Sequence, residues 1–168
     1  MLRGLATLEA TTPVSDAAPL AGAGALRGLA TLEAAVLFLL SALHVYWALG
    51  GRRGMSAALP QRAPGGPAAF VPGAPLTFAV AAVLALGGMV SLGLGGWLQP
   101  QLVPDAWLRV LGAAGAAAFG ARAVGDFNLV GFFKKVRGTA FARWDTTVHS
   151  PLCALLSLGW LLLVLGRG

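Results

Sequence analysis

The chain carries one cysteine, Cys153, among 168 residues, which excludes an intrachain disulfide and any metal site built on paired cysteines. Cys153 falls in an apolar run and reads as a small packing residue. Charge is scarce too: Asp, Glu, Lys and Arg make up 11% of the chain, where a soluble domain has about a quarter. That leaves too few polar side chains to cover a globule. Histidine occurs twice, at positions 44 and 149. The sequence shows no nucleophile motif, phosphate-binding loop or metal-ligand set, so no metal is expected and no named reaction is supported.

What is present is apolar length. Hydrophobic residues make up 57%, mean hydropathy is +0.78, and long apolar runs occupy 28–49, 74–98, 106–124 and 148–165. A helix needs about 20 apolar residues to cross a bilayer. Four spans are therefore expected, at about 29–49, 74–98, 106–124 and 146–165, in one all-α, membrane-embedded four-helix bundle over 28–168. The first run is longer than a signal-peptide core and ends in "HVYWALGG" without an A-x-A-like cleavage site, so it reads as a retained span. Residues 1–27 read as a flexible tail. Their "LRGLATLEA" at 2–10 recurs letter for letter at 26–34. Nothing later continues that period, so a duplicated start of the coding region explains it better than a repeat fold.

The net charge is +6. In a soluble chain such a balance would suggest nucleic acid. Here the basic residues flank spans, where they set orientation and meet the headgroups of membrane lipids, so no nucleic-acid partner is expected. Arg52, Arg53, Arg62, Lys134, Lys135, Arg137 and Arg143 lie in 50–73 and 125–147. Short basic loops stay cytoplasmic, which places both termini outside (N-out/C-out) in a multi-pass protein of a bacterial cytoplasmic, or inner, membrane. Gly87, Ser91 and Gly95 form a small-residue stripe on one helix face, and Gly112, Ala116 and Gly120 form another. Such stripes let membrane helices approach closely, so they are expected to face partner helices, each other, or a second copy in a homodimer.

Polar residues inside the runs ask for separate explanations. Glu33, Leu37, Ser41 and His44 share one face of a helix, but Glu33 and His44 are about 16 Å apart along it and cannot touch. With both termini outside, His44, Tyr46 and Trp47 gather at the inner end with Arg122, Asp126 and Lys134, and with Arg143, Trp144, Asp145 and His149. Arg122 and Asp126, four apart, would pair if the helix ran through Gly125, and Asp145 could hold His149 in the same way. Ser150-Pro151 resembles an N-cap followed by proline. A helix from about Thr146, bent at Pro151, gives the length a span needs. The basic, aromatic segment 127–143 is expected to lie on the headgroups.

Three ordered stretches, "HVYWALGG", "RAVGDFNLVGFFK" and "FARWDTTVHSPLC", resemble the signatures of an uncharacterised bacterial membrane family catalogued as domain of unknown function 3995. The resemblance covers about 28–166. It implies a small four-span membrane protein and brings no established activity, cofactor or substrate. At the place of His149 the family pattern commonly has a tyrosine.

The plainest reading is that the inner cluster braces the helix ends, with Trp47 and Trp144 as interface anchors. A second is binding or transport of an amphiphilic, lipophilic small molecule. Its head would meet Arg122, Lys134, Arg143 or His149, and Tyr46, Trp47, Phe127 and Trp144 would wall the site. A third is a membrane enzyme on a lipophilic substrate, with His44 and Asp126 or Asp145 as acid–base pair. No cofactor is expected on the first two readings; a haem b held by His44 and His149 is a further alternative.

Overall fold

The computed structural model describes residues 17–98 and 103–167. Apart from one isolated bridge between Gln61 and Ala68, all regular structure among them is helical. Helix α1 runs from Ala17 to Ala48, starting well before the expected span. Pro19 stands in its first turn, where a missing N–H costs nothing because those donors have no partner inside the helix. Gly22, Gly24 and Gly28 meet no neighbouring side chain, and the alanines and leucines around them carry the helix through. The second copy of "LRGLATLEA" is therefore helical; the first, at 2–10, lies outside the described residues.

A short turn, α2, covers Met55–Ala58. Helix α3, Ala74–Leu94, has Pro75 in its first turn and stops at Gly95-Gly96, a few residues before the expected end. Helix α4, Asp105–Val124, matches its expected bounds closely and ends where Gly125 takes a φ of 93°. Helix α5, Ala140–Trp144, is capped by Thr139, whose hydroxyl accepts from the Ala142 N–H at 2.9 Å. It continues through a wide π turn, Asp145–His149, into α6, Ser150–Leu165.

The helix therefore begins a few residues before the expected start at about Thr146, and a π turn stands just before Pro151. Ser150 is helical (φ −67°, ψ −44°), and its N–H reaches back five residues to the Asp145 carbonyl. Proline at 151 has no N–H, and its ring crowds the carbonyl four residues earlier. Widening the turn just before it relieves that crowding without ending the helix.

Helices α1 and α3 pack antiparallel. Ala30 lies against Gly95 and Leu37 against Gly87, while the Ser41 hydroxyl donates to the Ala81 carbonyl at 2.8 Å. Helices α4 and α6 pair in the same way: Val164 meets Gly112, and Ser157 donates to the Ala116 carbonyl at 2.7 Å. Both small-residue stripes thus face partner helices. The partners are mainly α1 and α6; between α3 and α4, Leu94 reaches Gly112 and Leu108 lies against Gly93. Trp160 joins the two pairs, wedged over Gly87 and Gly115, with its indole N–H donating to Ser91 at 2.5 Å.

Small side chains such as Ala30, Ala34, Ala81 and Ala116 share the interior with Leu37, Leu156, Trp160 and Leu163, while many other large apolar side chains point outward. Leu32, Leu39, Val83, Leu86 and Leu155 are between 64% and 72% exposed. Soluble monomers do not present apolar surface on that scale. Gly22–Ala48, Ala74–Leu94 and Ala140–Leu165 are long and apolar enough to cross a membrane. The expected third span is not among these three. Helix α4 has 20 residues, but Asp105, Arg109 and Arg122 among alanines and glycines make it less apolar.

Candidate functional site

The ends of α1 and α4 and the starts of α3 and α6 lie on one side of the molecule, and the π turn brings Asp145 into that region with no solvent exposure. A buried carboxylate must be compensated by donors or it would not stay charged. Arg122, in the last turn of α4, donates from Nη2 to Oδ1 at 2.7 Å. Lys134, only 2% exposed, donates to Oδ2 at 3.0 Å. The Gly131 N–H and the Ser150 hydroxyl complete Oδ2 at 2.8 Å and 3.3 Å. The three ammonium hydrogens of Lys134 are all used, since Nζ also meets the Gly131 carbonyl at 2.8 Å and the Thr146 hydroxyl at 2.7 Å. One carboxylate therefore ties α4, the loop after it and α6 together.

The loop is shaped for this. Gly125 and Gly131 both have positive φ, and the backbone at each lies where a Cβ on the other would be. The helix cannot run through Gly125, so Arg122 and Asp126 do not pair as expected. Asp126 instead turns back on its own loop, its Oδ1 accepting from the N–H groups of Asn128, Leu129 and Val130 at 2.9, 2.7 and 3.0 Å. Those bonds hold its carboxyl below the usual aspartate range.

Two features leave the cluster unbalanced. Arg122 and Lys134 bring two positive charges to one carboxylate, so a formal positive charge remains. The Nη1 of Arg122 is buried and has no hydrogen-bond partner among the described residues. Arg122 also lines an otherwise apolar cavity of about 220 Å³, walled by Leu37, Leu84, Phe119 and Trp160 and opening past the exposed Val83 and Ala118.

The structure brings Arg122, Lys134, Asp145 and His149 together and leaves the other candidates apart. The Nδ1 of His149 stands 3.9 Å from Asp145 Oδ1, too far for a hydrogen bond, and its ring lies near Phe141. His44 bonds the Leu40 carbonyl at 2.7 Å through Nδ1 and stacks edge-on against Trp47. No hydrogen bond or ion pair joins it to Asp126 or Asp145 among the described residues. Trp47 donates to the Arg53 carbonyl at 2.9 Å, and the Tyr46 hydroxyl accepts from the Arg53 N–H at 3.4 Å, so both shape the turn after α1. Phe127, Arg143 and Trp144 are exposed. Sequence reasoning missed Gly131 and Thr146 as cluster partners, and Phe119 and Trp160 as cavity walls. A signal existed for Trp160, because an indole N–H in an apolar run needs an acceptor and Ser91 sits in the facing stripe.

No group of three or more metal-ligating side chains occurs among the described residues. No curated protein and no solved structure matches the chain. The family model described as protein of unknown function, DUF3995, matches residues 37–160, which include the whole Asp145 cluster and every wall of the cavity. With that match running over most of its length, the chain belongs to this family.

Proposed function

We propose that the chain is a four-span protein of a bacterial cytoplasmic membrane, with both termini outside, that binds a single-chain amphiphile carrying an anionic head. The observation that carries this reading is an unpartnered, buried Nη1 on Arg122, a residue that also lines an apolar cavity. An anionic head would supply the missing acceptor and balance the remaining positive charge. The chain would lie between α3, α4 and Trp160, reached sideways from the lipid past Val83 and Ala118. At about 220 Å³ the cavity is smaller than the roughly 300–1,000 Å³ of drug-sized sites, which favours one slender chain over a two-chain lipid.

The Asp145 side of the cluster serves as the brace, because its oxygens are filled by protein donors. Helix α4 counts as the fourth span on this reading, since it packs against both α3 and α6, and its charges lie in its first and last turns or, at Arg109, bond the chain end.

The test is thermal unfolding of the purified protein in nanodiscs, with dodecanoate and with dodecanol as probes. Dodecanoate is expected to stabilise the wild type, by about 2.7 kcal/mol at a hundredfold excess over its Kd, and dodecanol much less. Arg122→Lys keeps one bond to Asp145 and removes Nη1, so it should lose the dodecanoate effect while remaining folded. Equal stabilisation of the variant by dodecanoate would refute the reading.

A further inference from the structure

Glu33 takes no part in the site above. It lies in the middle of the apolar stretch Gly22–Ala48, is 4% exposed, and neither carboxyl oxygen has a hydrogen-bond partner among the described residues. The carboxyl sits directly on the bare backbone of Gly159 in α6, in the space a Cβ there would need. The register of α1 on α3, with Ala30 at Gly95 and Leu37 at Gly87, sets Glu33 level with Ser91. The Ser91 hydroxyl is already engaged, donating to the Gly87 carbonyl and accepting from Trp160.

Among the described residues no charge is paired with Glu33 from the packed elements. Helix α3 presents Ser91, α6 presents Gly159 and Trp160, and the neighbours on α1 are Ala30, Ala34 and Leu37. The cations toward the outer end are turned elsewhere: Arg27 lies over the Trp97 ring, Arg167 binds Asp105 at 2.7 Å, and Arg109 bonds the Arg167 carbonyl. The Arg122, Lys134 and Asp145 group belongs to the inner end. A carboxylate without donors in such surroundings costs several kcal/mol, whereas the neutral acid avoids that penalty.

We propose that Glu33 is a proton-binding site inside the helix packing, holding its carboxyl as the neutral acid at neutral pH. Losing that proton puts an uncompensated charge between α1 and α6, so the contact at Gly159 loosens as pH rises. The site is separate from the cavity at Arg122. It also precedes the stretch 37–160 that the family model matches, so the family match does not bring it.

The sequence makes the test unusually clean, because Glu9 and Glu33 are its only glutamates. The Glu9→Gln protein, made with glutamate ¹³C-labelled at the side-chain carboxyl, leaves Glu33 as the only labelled carboxyl. Infrared spectra in lipid at about pH 7, where an unperturbed glutamate with pKa about 4.3 is ionised, should show the carbonyl stretch of a protonated acid that shifts with the label. Labelled carboxylate stretches with no labelled acid band would overturn the proposal. A second measurement avoids the label: the melting temperature should fall as pH rises toward about 9 in the wild type and much less in Glu33→Gln. The same fall in both proteins would assign it elsewhere and count against the site.

Discussion

Four hydrogen bonds from three different segments converge on the carboxylate of Asp145, and Lys134 spends all three of its hydrogens within the same cluster. Removing the charge of Asp145 while keeping its shape therefore leaves Lys134 buried beside a neutral amide. Asp145→Asn is expected to destabilise the folded protein by about 3–5 kcal/mol, the range for breaking one side of a buried ion pair. Replacing both partners, as Asp145→Asn with Lys134→Met, should recover much of that loss in detergent thermal unfolding. Additive losses would mean that the two residues are not coupled. Arg122 stands differently, because one of its terminal nitrogens is used and the other is not. That asymmetry separates the bracing role of the cluster from its binding role.

Among the helices, close approach depends on glycine. Trp160 fills the space above Gly115 so fully that a Cβ there would collide with the indole. Gly115→Ala should cost about 1–3 kcal/mol from overpacking, and Trp160→Leu in the same chain should relieve part of it. A Gly115→Ala protein with wild-type melting temperature would contradict this packing. Element boundaries set by composition were readable from the sequence, as at α4, where proline precedes Asp105 and Gly125 closes the helix. The π turn was not readable. Four-residue spacing presumes regular α geometry, and that is why the expected Arg122–Asp126 pair failed and Asp145 and His149 stand too far apart for a hydrogen bond. The partner of His44 was not readable for a related reason: helix periodicity gives the face of one helix but not what its neighbour sets opposite. Its hydrogen bond goes to Leu40 on its own helix.

For the whole molecule, large apolar side chains such as Leu32, Leu39, Leu86 and Leu155 face outward as well as filling the core, and the apolar excess behind that surface was legible in composition alone. The cavity was not, because its walls come from four helices whose pairing no sequence window contains. Orientation belongs to this scale as well. In a Cys153→Ala background, Ser56→Cys in the loop 50–73 should react with an impermeant maleimide only after cells are permeabilised. Labelling of intact cells would reverse the orientation and place the Arg122 cavity mouth toward the outer leaflet.

An anionic amphiphile occupying the cavity at Arg122 would leave the membrane with the protein. Native mass spectrometry of the protein released gently from its membrane tests this most directly. A single-chain acid is predicted to travel with the wild type at one per chain and to be absent from folded Arg122→Lys. Bulk phospholipid alone on both proteins would contradict the account.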